Sequence, residues 1–152
     1  MDSTFYDIIL VLHILAAALW FGSNLVMGLG SGKAVKASAE VNVWWAEVQG
    51  FLALVVKHAA FVVLLLTGVI LVLKSDDVFA FSSGFVSLGF LTLIVGGALG
   101  GMVFLPGCRR IAASFRAGDA AGAKATIDRL GMIGAAESVL VVVTIYFMVA
   151  AR

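Results

Sequence analysis

Four long apolar runs alternate with shorter polar ones along the chain. They cover about residues 8–29, 51–73, 84–105 and 132–150, and most charged side chains fall between them. Each run has the ~20 residues that an α-helix needs to cross a bilayer. The pattern predicts an all-α integral membrane protein: one four-helix bundle filling the chain, 1–152, as a single transmembrane domain. The first run is the least uniform. Within LHILAAALWFGSNLVMG, residues His13, Ala17, Trp20, Asn24 and Gly28 share one helical stripe at ~100° per residue. A histidine and an asparagine are costly in hydrocarbon, so this stripe is expected to face protein, a cofactor or trapped water.

The punctuation between the runs sets the boundaries. Gly28, Gly30 and Gly32 read as a glycine-rich exit from the first helix. The GLGSGK there is no phosphate loop. Its spacing is one residue short, Ala34 stands where a magnesium-holding hydroxyl belongs, and a membrane helix precedes it instead of a strand. Trp44 and Trp45 read as an interfacial aromatic belt, and Lys74, Asp76 and Asp77 as a short second loop. The third run carries two overlapping GxxxG pairs, Gly96/Gly100 and Gly97/Gly101. Such pairs let a backbone approach another helix or a flat ligand, so a homo-oligomer or a membrane complex through this span is expected. Pro106 and Gly107 read as the stop of the third helix, Gly118 as a break within 108–130, and Asp119 as the N-cap of a helix running into the fourth run.

Composition agrees: 62% of residues are hydrophobic and 12% charged, where a soluble domain has ~25% charged. Seven of the ten basic residues (Lys33, Lys36, Arg109, Arg110, Arg116, Lys124 and Arg129) lie in loops one and three. Lys74 and Arg152 lie on the other side, and Lys57 lies in span two. By the positive-inside rule, loops one and three are expected in the cytoplasm and both termini outside, in the periplasm of a bacterium, with the chain in its inner membrane. The acidic start MDSTFYD lacks the positive n-region of a signal peptide, so span one is read as retained. Cys108 is the one cysteine, beside Arg109 and Arg110, which points to the reducing side. A net charge of +1 without a basic stripe gives no support for nucleic acid as a partner. No nucleophile with a base, no carboxylate pair and no HExxH spacing supports hydrolysis.

Candidate chemistry falls into two clusters. The outer one is His13, ~10 Å in from the outer surface by helical rise. Its structural reading is a neutral, hydrogen-bonded histidine; its functional reading is axial ligation of haem iron, with small residues of spans one and three making a slot for the ring. Trp20 reads as a packing wall or stacking partner, and Met148 as a second ligand or a copper ligand, or as packing. The inner cluster is Lys57, His58 and Glu137, read either as a charge pair fixing helix register or as a proton relay or anionic-ligand site, such as one for a porphyrin propionate. The depths of His13 and His58 differ by ~10 Å from the helical rise, which favours one-sided ligation.

His13, six residues, then Trp20-Phe21-Gly22 resembles the first-span signature of protoporphyrinogen oxidases of the HemJ type. It is also similar to the LHxLAAxxWxGG start of the membrane domain of the copper-resistance protein D (CopD-like) family. Thr67-Gly68 and Glu137 fall where those domains have a TG pair and a glutamate. The resemblance implies a four-helix membrane bundle in which His13 ligates haem b beside Trp20. The chain differs from the HemJ pattern in offering Lys57 in span two and no ionisable residue in span three. The expected function is a haem b membrane protein for electron transfer or oxidation of a quinone- or porphyrin-like substrate, a protoporphyrinogen-oxidase-like oxidoreductase. Its site residues are His13, Trp20, Asn24, Lys57, His58 and Glu137. The alternatives are a cofactor-free accessory subunit and a copper- or metal-handling protein using His13 and Met148.

Overall fold

The computed structural model describes residues 3–75 and 78–150. Asp76, Asp77 and Arg152, used above for the second loop and the charge balance, lie outside the described residues. The four apolar runs form four helices, each long and apolar enough to cross a membrane: α1 (Ser3–Ala34), α2 (Ala39–Leu73), α3 (Gly84–Arg116) and α4 (Ala120–Ala150). No strand occurs among the described residues.

The connections follow local chemistry. Ser38 caps α2 by accepting the Val41 N–H, and the Asn42 amide donates to the carbonyls of Ala37 and Ser38, closing the turn after α1. Gly118 adopts φ +76° between α3 and α4, a conformation that favours glycine. Asp119 then accepts the Gly122 N–H at 2.8 Å, as an N-cap should, and α4 runs without a break into the fourth apolar run.

The helices extend beyond the apolar runs. Gly28, Gly30 and Gly32 do not end α1, because Gly30 is covered by the Trp45 ring: a β-carbon there would overlap the indole. Pro106 and Gly107 do not stop α3, which continues to Arg116. The reason lies just upstream, where Gly100–Phe104 forms a π-helical turn and the Leu105 N–H bonds the Gly100 carbonyl five residues back. A turn already widened there receives the proline ring that would collide with an ordinary α-turn. A second π-turn occupies Leu52–Val56 in α2, with the Lys57 N–H bonded to the Leu52 carbonyl. The two π-turns lie against each other in the middle of the bundle.

The outside is apolar and the inside is small or polar. Leu15, Leu29, Ile94 and Val139 are each at least 60% exposed, while Ser23, Gln49, Lys57, Thr67, Thr92, Glu137 and Thr144 are buried. That distribution suits a bilayer as solvent. Along α1 the buried line is Ile9, Ala16, Trp20, Ser23 and Met27, so Trp20 sits at its centre while His13 and Asn24 flank it, half-buried, and Gly28 is exposed. α1 packs chiefly on the 57–73 half of α2, the first half of α2 packs on the 105–116 part of α3, and α4 closes against α1 and α3.

Candidate functional site

Lys57 follows the π-turn of α2 directly and points into the bundle, 2% exposed. Its ammonium meets both oxygens of Glu137 on α4 at 2.8 Å, and Glu137 is 3% exposed. From α1 the indole N–H of Trp20 donates to Glu137 Oε1, also at 2.8 Å. Three helices therefore converge on one carboxylate. The ammonium also stands 4.6 Å from the centre of the Phe104 ring and 5.5 Å from that of Trp20, where the ring quadrupoles favour a cation. An unpaired charge in such a place costs several kcal/mol, roughly, whereas a bidentate pair with an added N–H donor leaves both ions compensated.

Room for this arrangement comes from span three. A β-carbon at Gly96 would overlap the Trp20 indole and lie 3.1 Å from Glu137 Oε1, and one at Gly97 would lie 3.1 Å from the Phe61 ring. Three of the four GxxxG glycines thus serve contacts within the chain, Gly100 lying beside His58, and Gly101 alone meets nothing.

The structure separates His58 from Lys57. Adjacent residues on a helix point ~100° apart, so one buried neighbour sends the other outward. His58 is exposed, and its Nδ1–H donates to the Ala53 carbonyl at 3.0 Å. The ring turns toward the start of α2, away from Thr67, which lies ~13 Å farther along by helical rise.

His13 lies between α1 and α2. Its Nδ1 is 2.8 Å from Thr67 Oγ1, and its Cε1 is 3.4 Å from where a β-carbon on Gly68 would stand. The Thr67 hydroxyl also lies 2.6 Å from the Val63 carbonyl, an acceptor for its one hydrogen. With the hydrogen placed there, Nδ1–H donates to Thr67 Oγ1, and in that neutral tautomer Nε2 keeps its lone pair. Thr67 is the hydrogen-bond partner of His13 on α2.

Comparison with protein-family models gives no match, nor does comparison with curated proteins or with solved structures. The site must be read from its own geometry.

Two further features matter. Met148 packs between α4 and α3, its methyl 2.7 Å from a β-carbon built on Gly89, on a different helix pair from His13. No group of three or more His, Cys, Asp or Glu side chains that could hold a metal occurs among the described residues. A cavity of about 820 Å³ opens between the second half of α1 and the first half of α4, with Gln49, Phe104 and Ile111 at its base. Asn24 lines it, and its Nδ2 is buried with no hydrogen-bond partner.

Sequence reasoning found Lys57 and Glu137 as a pair and Gly96 as a point of close approach, but missed Phe104. The available signal was spacing: Gly96, Gly100, Phe104 and Cys108 are all buried in steps of four. An α-helix would drift ~40° per such step, so the run implies a widened turn.

Proposed function

We propose that this is an integral membrane haem b protein for electron transfer, with His13 as the axial ligand through Nε2. The observation that carries the reading is the hydrogen bond between His13 Nδ1 and Thr67. It leaves Nε2 as the lone-pair donor and holds the ring by its other nitrogen, as metal-binding histidines are held. The donor chemistry therefore fits one-sided ligation. Haem, when bound, supplies one-electron chemistry. The first-span likeness to the HemJ and CopD-like domains supports the same residue.

The chain's other groups have separate tasks. Lys57 is committed to Glu137 and is not free to meet a propionate. Trp20 and Lys57 together hold the Glu137 carboxylate in one place in the middle of the bundle. Deciding the matter takes a reduced-minus-oxidised visible spectrum of purified wild type and His13→Ala after expression with ample haem. A b-type signal lost in the variant is the expected result; a colourless wild type overturns the proposal.

One observation favours a second reading. The closed Trp20–Glu137–Lys57 network ties α1, α2 and α4 together with no polar group left over, which is what a register clamp in an accessory subunit requires. That reading expects colourless protein and an assembly surface at Gly101, tested by the native mass of Gly101→Leu.

A further inference from the structure

The cavity between α1 and α4 is not part of the His13 site: Asn24, at its inner end, is eleven residues along α1, ~16 Å by helical rise. Its walls are flattened by absent side chains. Gly28 and Gly32 on α1 and Gly131 on α4 line it, and a β-carbon on any of them would meet open space. Its charges cancel, because Lys124 and Asp128 at the mouth pair with each other.

Two hydrogen-bond donors in the α1 wall lack acceptors. One is Asn24 Nδ2, just beneath the surface of the wall; the amide turns about a broad two-fold torsion, which brings it to a ligand. The other is the Ser31 hydroxyl. Its oxygen accepts from the Trp45 indole at 3.2 Å and from Gln49 Nε2 at 2.9 Å, and its own hydrogen has no acceptor among the described residues. Asn24 and Ser31 are seven residues apart, two helical turns or ~10 Å. That span is bridged by a six-membered ring with opposed carbonyl oxygens and one hydrogen bond of ~2.8 Å at each end.

We propose that this cavity binds a para-quinone: flat, uncharged, apolar and carrying a carbonyl at each end, one accepting from Asn24 and the other from Ser31. A phospholipid fits less well: its ester carbonyls sit on flexible arms and not at opposite ends of one rigid ring, and Lys124, the one cation lining the cavity among the described residues, already pairs with Asp128. The inference names the small-molecule class for the proposed redox role and rests on that reading only for the role; the binding stands on the cavity alone. Phe104 forms part of the base while its ring carries the Lys57 ammonium, so a bound ring lies one aromatic side chain from the buried ion pair.

The test is titration of purified His13→Ala protein, which holds no haem under either reading, with a decyl-substituted benzoquinone while tryptophan fluorescence is followed. Trp45, bonded to Ser31, is the reporter. Saturable quenching is expected, weakened about tenfold in Asn24→Leu through loss of one buried hydrogen bond. It should be weakened further in Gly131→Leu, whose side chain enters the cavity from a position where a β-carbon meets open space, and unchanged in Gly101→Leu outside it. Equal quenching in all four proteins means partition into detergent and overturns the proposal. So does mass spectrometry showing that Gly131→Leu sheds a co-purified phospholipid and no quinone. The haem spectrum of wild type is read separately, so either proposal fails without the other.

Discussion

Gly96 and Trp20 are complementary: the helix that lacks a side chain at one position receives an indole at that height from the helix opposite. The pairing sets the position of the Trp20 N–H and so of the carboxylate it meets. Gly96→Ala is expected to lower the thermal midpoint in detergent by several degrees, since overpacking a tight contact costs about 1–3 kcal/mol. Gly101→Ala, with nothing near its β-carbon, is expected to leave the midpoint unchanged or raise it.

Removing one ion of the buried pair should cost more than removing both. Lys57→Met and Glu137→Met each leave a charge without its partner, about 3–5 kcal/mol by analogy with other buried pairs. The double variant is expected to be more stable than either single one, so the coupling energy in a double-mutant cycle of unfolding midpoints should exceed the cost of either single change, about 3–5 kcal/mol. Additive losses would mean that the two side chains do not interact across the α2–α4 contact.

Trp20→Phe keeps a ring against Phe61 and Lys57 but deletes the N–H to Glu137. Hydrogen bonds to charged groups are worth about 1.5–3 kcal/mol, and that loss should appear in the thermal midpoint. In a Lys57→Met/Glu137→Met background, where there is no carboxylate to receive the N–H, the same substitution should cost far less.

If His13 ligates haem as proposed, Thr67 would act on it only through His13. Thr67→Val is expected to weaken haem binding about 10–100-fold, as losses of an orienting partner do, while Thr67→Ser retains it. Haem titration followed at the Soret band distinguishes the two. Equal affinity in Thr67→Val would show that the hydroxyl does not orient the ring.

Much of this was legible in the sequence, and the rest was lost for definite reasons. The four spans, the Gly118 break and the Asp119 cap follow from hydropathy and from residues with one strong conformational preference. Lys57 and Glu137 could be paired because two opposite charges in apolar runs at similar depth have few other partners. The family resemblance sets Trp20 beside His13, yet seven residues of helical rise, ~10 Å, separate them and carry Trp20 inward to Glu137. His58 was grouped with Lys57 on adjacency, which on a helix means divergence. The end of α3 was misplaced because Pro106 is an interruption only where the preceding turn is α, and nothing short of the spacing of buried positions revealed the π-turn.

The π-turn at Leu52–Val56 makes α2 sensitive to counting. A turn that closed to ordinary α geometry with all its residues kept would swing every side chain downstream by ~100° relative to those upstream. Lys57 would turn away from Glu137 and Thr67 away from His13, in a span as long and as oily as before. Excising Leu54, an exposed apolar residue within the turn, would do the opposite. The Lys57 N–H would still reach the Leu52 carbonyl, then four residues back, and both polar contacts would stay in phase. One codon can be lost inside this turn that could not be lost on either side of it.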